Sequence, residues 1–412
     1  MELRAGYKNT EVGIIPEDWE VKTLLELCLK IQDGTHFSPK IGGSDFLYIT
    51  SKNIRFGFLD TSNADSIDTA QHQSIYKRCD VKFGDLLLTK DGANTGNAAI
   101  NIIKEEFSLL SSVAFLRFDP KKNDANFFLQ QILTYSGQSQ IREAMSGNAI
   151  TRLTLEKIKK LCFTLPPTLS EQTAIATALS DADALISSLE KLIAKKRHIK
   201  QGAMQKLLQP REGWEVKKLG EIGEFKNGIN KGAEDFGFGY PFVNLMDVFG
   251  ISKIATNQDL GLINANEADR KAYDLKKGDV LFIRSSVKPE GVGLTCLIEE
   301  DLDNTVFSGF IIRFRDNGNL SDKFKEYCFS SSYFRNRVIA SSSVSANTNI
   351  NQDSLKNLVL HFPKSKSEQT RIATILSDMD NEITALEAKL EKYRKVKLGM
   401  MQNLLTGKIR LV

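Results

Sequence analysis

The chain has 412 residues, 41% of them hydrophobic, with 55 basic side chains against 51 acidic ones and a formal net charge of +4. That length accommodates roughly two to four domains with real cores. The near-neutral balance argues neither for nor against a polyanionic partner, so only local clustering of charge could do so. Five scattered cysteines (Cys28, Cys79, Cys162, Cys296, Cys328), with no C-x-x-C, exclude a zinc ribbon and are expected to be reduced, mostly buried thiols. No signal peptide is expected from the polar start, and no apolar run approaches a bilayer span. A cytoplasmic protein is expected, with no membrane partner.

Residues 1–25 form a lead-in ending in Pro16-Glu17-Asp18-Trp19-Glu20-Val21, and a close relative of it recurs as Arg211-Glu212-Gly213-Trp214-Glu215-Val216. Between Leu24 and Leu165 short apolar runs, such as 46–49, 86–88 and 112–116, alternate with Gly, Asn, Asp and Ser. Runs of this length bounded by turn residues predict strands. A short helix is predicted over 126–135, and the whole reads as α+β with a mixed sheet.

Pro166-Pro167 then opens a long helix, with Thr168 and Glu171 spaced as a capping box. Along it Ile175, Leu179, Ala182, Ile186, Leu189 and Ile193 step by four and three, the period of a left-handed helix pair. About 39 residues at 1.5 Å rise reach roughly 58 Å.

The next stretch, 219–362, repeats the order of landmarks while its intervening segments barely match. Lys82-Phe83-Gly84-Asp85-Leu86-Leu87 answers to Lys276-Lys277-Gly278-Asp279-Val280-Leu281, and 114–118 is aligned with 310–314, which places Arg117 against Arg313. One scaffold kept while its loops diverge puts specificity in the loops. After Pro363, with Ser365 and Glu368 as a second capping box, the helix returns. Positions 367–405 repeat 170–208 without a gap, with 22 of 39 residues identical. This is an internal duplication. Its seam is Ile372, Leu376, Met379, Ile383, Leu386, Leu390 and Tyr393. The two copies are expected to pair within the chain, each at high effective concentration to the other. Gly202 and Gly399 stand at matching places and are expected to loosen or kink the last turns.

The order lead-in with P-x-D-W-E-V, variable domain, P-P-T-L-S-E-Q helix, G-W-E-V, second variable domain, S-E-Q helix and L-L-T-G-K tail resembles the DNA-specificity (S) subunit of type I restriction-modification systems, over essentially the whole chain. The resemblance implies two similar target recognition domains (1–165 with the lead-in, and 210–362). Two antiparallel coiled-coil spacer helices (166–209, and 363–412 with the tail) would separate them in a pseudo-two-fold, circular arrangement. It also implies double-stranded DNA as ligand, one half of a bipartite asymmetric site per domain, and docking of two methyltransferase (modification) subunits and of restriction/translocase subunits. No catalytic site and no cofactor are expected on this chain; S-adenosylmethionine, ATP and Mg are expected on the partner subunits. Two unlike heads on one side of a duplex would lie about one turn, roughly 34 Å, apart. The second copy stops where the first runs on to Trp214, so the chain ends are expected to meet.

Three sets of loops are candidates for DNA contact. The first is the loop after the first Gly-Asp strand, with Lys90, Asn94, Thr95 and Asn97, and its counterpart with Arg284, Ser285, Ser286 and Lys288. Cations and amides of this kind read purine edges or hold phosphates. The plain alternative is a Gly-rich turn with solvated charges. The second is Asp33-Gly34-Thr35-His36, which resembles a D-G-T-H stretch of the family and nominates Thr35 and His36; the matching 227–231 lacks the histidine. The third comprises 148–152 and 347–351, nominating Arg152, Asn349 and Asn351. The basic run Lys191, Lys195, Lys196, Arg197, Lys200 and its echo Lys392, Arg394, Lys395, Lys397 is either a solvated face or a contact to spacer phosphates or a partner subunit. No phosphate-binding loop, helix-borne His pair or N/D-P-P-Y/F tetrapeptide is present, which disfavours a fused DNA-modifying enzyme. The remaining alternative is a helical adaptor without DNA readout, which has no reason to keep two scaffolds while changing their loops.

Overall fold

The computed structural model describes residues 5–145, 152–257, 259–344 and 347–411. It divides into two compact units, one made of Met1–Glu190 with Lys389–Val412, the other of Lys191–Ala388.

In the first unit Cys28–Asp33, Val113–Phe118, Leu86–Thr89 and Ala98–Ile100 lie side by side, in that order, as an antiparallel sheet. The run Leu86-Leu87-Leu88 is apolar throughout because this sheet is covered on both faces. Leu86, Leu88, Ala114 and Leu116 point into a core with the helices and Trp19. Leu87, Ala99, Val113 and Phe115 point the other way, against a smaller mixed sheet of Asp65–Ile67, Phe46–Ile49 and Ser108–Leu109. The helix expected over 126–135 is two helices, Ala125–Ile132 and Tyr135–Met145. Thr134 makes the break, its Oγ1 accepting from the Gly137 N–H at 3.0 Å as a helix-starting hydroxyl does.

The second unit repeats the sheet with Gly223–Asn227, Ile311–Asp316, Val280–Ile283 and Thr295–Ile298, and adds the short parallel strand Lys253–Ile254 at its edge. Again the faces alternate, Val280 and Phe282 toward the helices, Leu281 and Ile283 toward the other core. The pairing corrects the expected alignment of 114–118 with 310–314. Leu86 opposes Leu116 and Val280 opposes Phe314, so Arg117 corresponds to Arg315, not to Arg313. Arg117 binds Asp85 through Nε at 2.9 Å and Nη2 at 2.7 Å; Arg315 binds Asp279 likewise at 2.8 and 2.7 Å. These aspartates also accept from the Lys82 and Lys276 N–H groups across turns whose glycines, Gly84 and Gly278, have φ of 84° and 83°. A slip of two residues leaves the same side chains on the same face, so alternation could not tell the registers apart.

The two long helices run Leu169–Leu207 and Lys366–Leu404, unbroken through Gly202 and Gly399. Ile175, Leu179, Leu189, Ile193, Ile372, Leu376, Ile383 and Leu390 of the seam are buried. Within the first unit Lys397 of the second helix reaches Asp183 of the first at 2.6 Å, and Arg394 reaches Glu190 at 2.6 Å. Within the second unit Lys200 pairs with Asp380, Lys196 with Glu382 at 2.6 Å and Arg197 with Glu387 at 2.5 Å. Both sets require antiparallel neighbours, and they bind much of the basic run into the helix pairs. Asp183 also accepts from Gln130 Nε2 at 3.1 Å, and Asp380 from Tyr327 Oη at 3.0 Å, so each aspartate ties a head to its helix pair at matching positions of the repeat.

The capping hydroxyls hold, with Thr168 accepting from the Glu171 N–H at 3.2 Å and Ser365 from the Glu368 N–H at 3.4 Å. The carboxylate of Glu171 has a different partner. It is fully enclosed and takes both ends of the Arg410 guanidinium, which also reaches Asp18 at 3.1 Å. Tyr7 Oη donates to the Gly407 carbonyl at 3.3 Å. The lead-in and the tail therefore meet, as expected from the way the repeats are cut. All five cysteines are free, and burial pushes the Cys79 and Cys296 thiols up to about 12.

Candidate nucleic-acid interface

The nominated loops converge at one tip of each head because the central strands end there. In the first head, Lys90 is fixed by backbone bonds on both sides: its N–H donates to Ser112 O at 2.8 Å and its carbonyl accepts from the Leu153 N–H at 3.1 Å. In the second, Arg284 N–H donates to Phe310 O at 2.9 Å and its carbonyl accepts from the Ile350 N–H at 2.9 Å. The two cations thus occupy the same place in the scaffold. Next to them, Gly34 and Gly228 pass so close to the neighbouring strand that a Cβ would lie 1.9 Å from Leu109 O or 2.2 Å from Phe307 O. Only glycine fits there, which fixes the path of the D-G-T-H loop and its counterpart.

Around this shared backbone the chemistry differs. Lys90 is enclosed, its side chain 5% exposed, with its ammonium 3.2 Å from both Asp33 Oδ2 and Asp91 Oδ2. Asp33 Oδ2 also lies 3.4 Å from His36 Nε2, and Asp91 Oδ1 accepts from Arg152 Nε at 2.7 Å. The result is a string of alternating charge, His36–Asp33–Lys90–Asp91–Arg152, whose two ends are more than half exposed. Burial works to raise the Asp91 carboxyl, but the Arg152 bond and the Lys90 charge outweigh it and hold it below the usual carboxylate range.

In the second head the two acids are absent. Asn227 stands at the place of Asp33 and Ser285 at that of Asp91. Arg284 is half-buried and donates through Nη1 to the Gly309 carbonyl at 3.3 Å, and it has no carboxylate partner among the described residues. Ser112 of the first head is replaced by Phe310, whose ring is 57% exposed. Asn230, also exposed, packs its amide against Gly309.

The other nominated residues fall into two groups. Several are committed to the loops themselves. Thr95 Oγ1 donates to Gly92 O at 2.7 Å, Asn97 Nδ2 to Ile54 O at 3.1 Å, and Thr35 Oγ1 accepts from the Phe37 N–H at 3.3 Å. Asn351 caps the helix Gln352–Asn357, accepting from the Ser354 N–H at 2.8 Å. Others line the tip: Asn94 half-buried, Lys288 exposed, Ser286 accepting from the Lys288 N–H, and Ser285 paired with Asn349 in a small sheet that also includes Ser343–Val344. Positions 148–151 lie outside the described residues. Asp33, Asp91, Asn230 and Phe310 were not nominated from sequence. The signal that could have found the acids is their replacement by neutral residues beside Arg284, visible once the two copies are aligned.

One scaffold in two copies, with a different polar tip on each, defines a tandem recognition protein. The family model described as the type I restriction modification DNA specificity domain matches residues 16–200 and again 211–393. Two relatives from Methanocaldococcus jannaschii are similar along nearly their whole lengths. One is the putative type I restriction enzyme MjaX specificity subunit, 26% identical over 98% of this chain and 97% of its own. The other is the MjaVIII specificity subunit, 25% identical over 96% and 94%. The fold is that of the S subunit of a type I restriction-modification system from M. genitalium, with a TM-score of 0.57 at 16% identity and 98% of both chains covered. A chain from a solved type I restriction-modification system gives a TM-score of 0.56 at 16% identity, over 96% of this chain and 99% of that one. The chain belongs to the type I restriction-modification DNA specificity family and is a specificity subunit, the non-catalytic component of such a system. Among the described residues, no helix is long and apolar enough to cross a membrane.

Proposed function

We propose that the subunit recognises a bipartite, asymmetric double-stranded DNA site, one half per head, and that its helix pairs dock two methyltransferase subunits and, through the assembled complex, the restriction/translocase subunits. It does so in the cytoplasm, and S-adenosylmethionine, ATP and Mg are ligands of the partners. The observation that carries this is the contrast at the two tips. Lys90 and Arg284 are held by the same pair of backbone bonds, while the groups around them, Asp33, Asp91 and Ser112 against Asn227, Ser285 and Phe310, differ in charge and shape. Identical placement with unlike chemistry is what two readers of unlike sequences need, since phosphate contacts position a protein and base edges specify its site. In the first head, His36 and Arg152 are the exposed groups that meet DNA, and Lys90 positions them through its two carboxylates.

The test is to co-express the chain with its methyltransferase subunits and map methylated positions across the host genome. Two short unlike blocks separated by unread bases are the expected motif. A single continuous block, or no motif, would sink the proposal.

A further inference from the structure

We infer that Arg284 reads a guanine in the half-site of the second head, and that the two heads therefore recognise their bases by opposite means. This deepens the function proposed above and rests on it. Three observations carry it.

First, no carboxylate among the described residues holds the fork of Arg284. The guanidinium groups of Arg117, Arg152, Arg313, Arg315 and Arg410 are all bound to carboxylates, whereas Arg284 gives one 3.3 Å bond to a carbonyl and has no acid beside it among the described residues. Second, its backbone is immobilised on both sides, by the bond to Phe310 O and the bond from the Ile350 N–H. The side chain is held at its root and open at its end, so little freedom is lost when it takes a ligand. Third, its neighbours are suited to a base and not to a bare phosphate. Phe310, whose carbonyl takes the Arg284 N–H, is 57% exposed, and the Asn230 amide packs on the same Gly309 whose carbonyl Arg284 touches. A planar fork matches the O6 and N7 acceptors of guanine with two parallel bonds, the commonest specific contact in the major groove, and an exposed apolar ring fits a neighbouring base face or thymine methyl.

In the first head the equivalent cation is already neutralised by Asp33 and Asp91, so the same position is closed to guanine. The second head has Asn227 and Ser285 in place of the two acids, which leaves the position open.

The experiment uses the whole complex. Arg284→Ala and Arg284→Lys subunits are each co-expressed with the methyltransferase subunits, and the methylated motif and its occupancy are compared with the parent. The expected result is a parent motif with a G·C pair in one half, relaxed or lost at that pair in both variants, with the other half unchanged. Binding of the assembled complex to a matching duplex should weaken roughly ten- to a hundredfold. The unchanged half also reports that the variant is folded. If Arg284→Lys keeps motif and occupancy, the planar fork is not what reads the base and the inference fails. It fails equally if the parent half-site changed by Arg284→Ala contains no G·C pair, or if Arg284→Ala changes nothing. A parent complex with no bipartite motif overturns the proposed function instead.

Discussion

At the scale of residues, the first head stores two carboxylates around one ammonium in a place largely closed to water. Removing Lys90 takes away the ammonium that Asp33 and Asp91 share, and leaves each only its partner at the exposed end of the string, His36 for Asp33 and Arg152 for Asp91. Such a change costs about 1–3 kcal/mol, because both carboxylates lose their buried partner and keep only one at the exposed rim. Lys90→Ala is therefore expected to lower the stability of the first head by that order in denaturant unfolding. A change below about 1 kcal/mol would mean that the ammonium is not the keystone of the string. Lys90 was legible in the sequence as a loop cation. Its burial was not, since Asp33 lies on a strand far away in sequence and Asp91 next to it reads equally well as a turn residue. Arg284 was legible for the same reason, and its freedom was hidden for the same reason. A cation in a sequence does not announce whether an acid waits for it in space.

At the scale of elements, the helices carried a signal that could be read directly. The four-three seam, the proline boundaries and the cap hydroxyls all stand where the period and capping chemistry place them. What periodicity does not convey is partnership. Asp183 and Asp380 sit outside the seam, yet each joins a lysine of the opposite helix to a head side chain, Gln130 or Tyr327. Glu387 instead makes an exposed pair with Arg197. Exposed pairs are worth about 0–1 kcal/mol, whereas stranding a buried hydroxyl such as that of Tyr327 costs about 1–3 kcal/mol. Thermal unfolding should accordingly separate Asp380→Ala from Glu387→Ala, the first lowering the transition clearly and the second hardly at all. Equal effects would show that Asp380 is an ordinary surface charge. The alignment slip of two residues at Arg313 and Arg315 belongs to this scale as well. Strand alternation fixes a face but not a position along it.

At the scale of the whole molecule, the duplication was fully visible, and the proposed division of labour between the heads rests on it. Replacing residues 25–165 by the first recognition domain of another family member, in complex with the methyltransferase subunits, is expected to change one half of the methylated motif and leave the other intact. If both halves change, the heads are not independent readers. The nominated loops were the least legible part, because whether a cation there is paired or open depends on what surrounds it in space.

The meeting of lead-in and tail bears on how the chain is made. The second unit is one uninterrupted segment, 191–388, whereas the first needs Leu404, Leu405 and Arg410 to complete its core and cover Glu171. During synthesis the first head emerges early but must wait for residues 404–410. The second, begun later, has all its parts in hand sooner. The order of birth and the order of completion are reversed, and a chain cut short after residue 388 carries its unfinished core in the head that was made first.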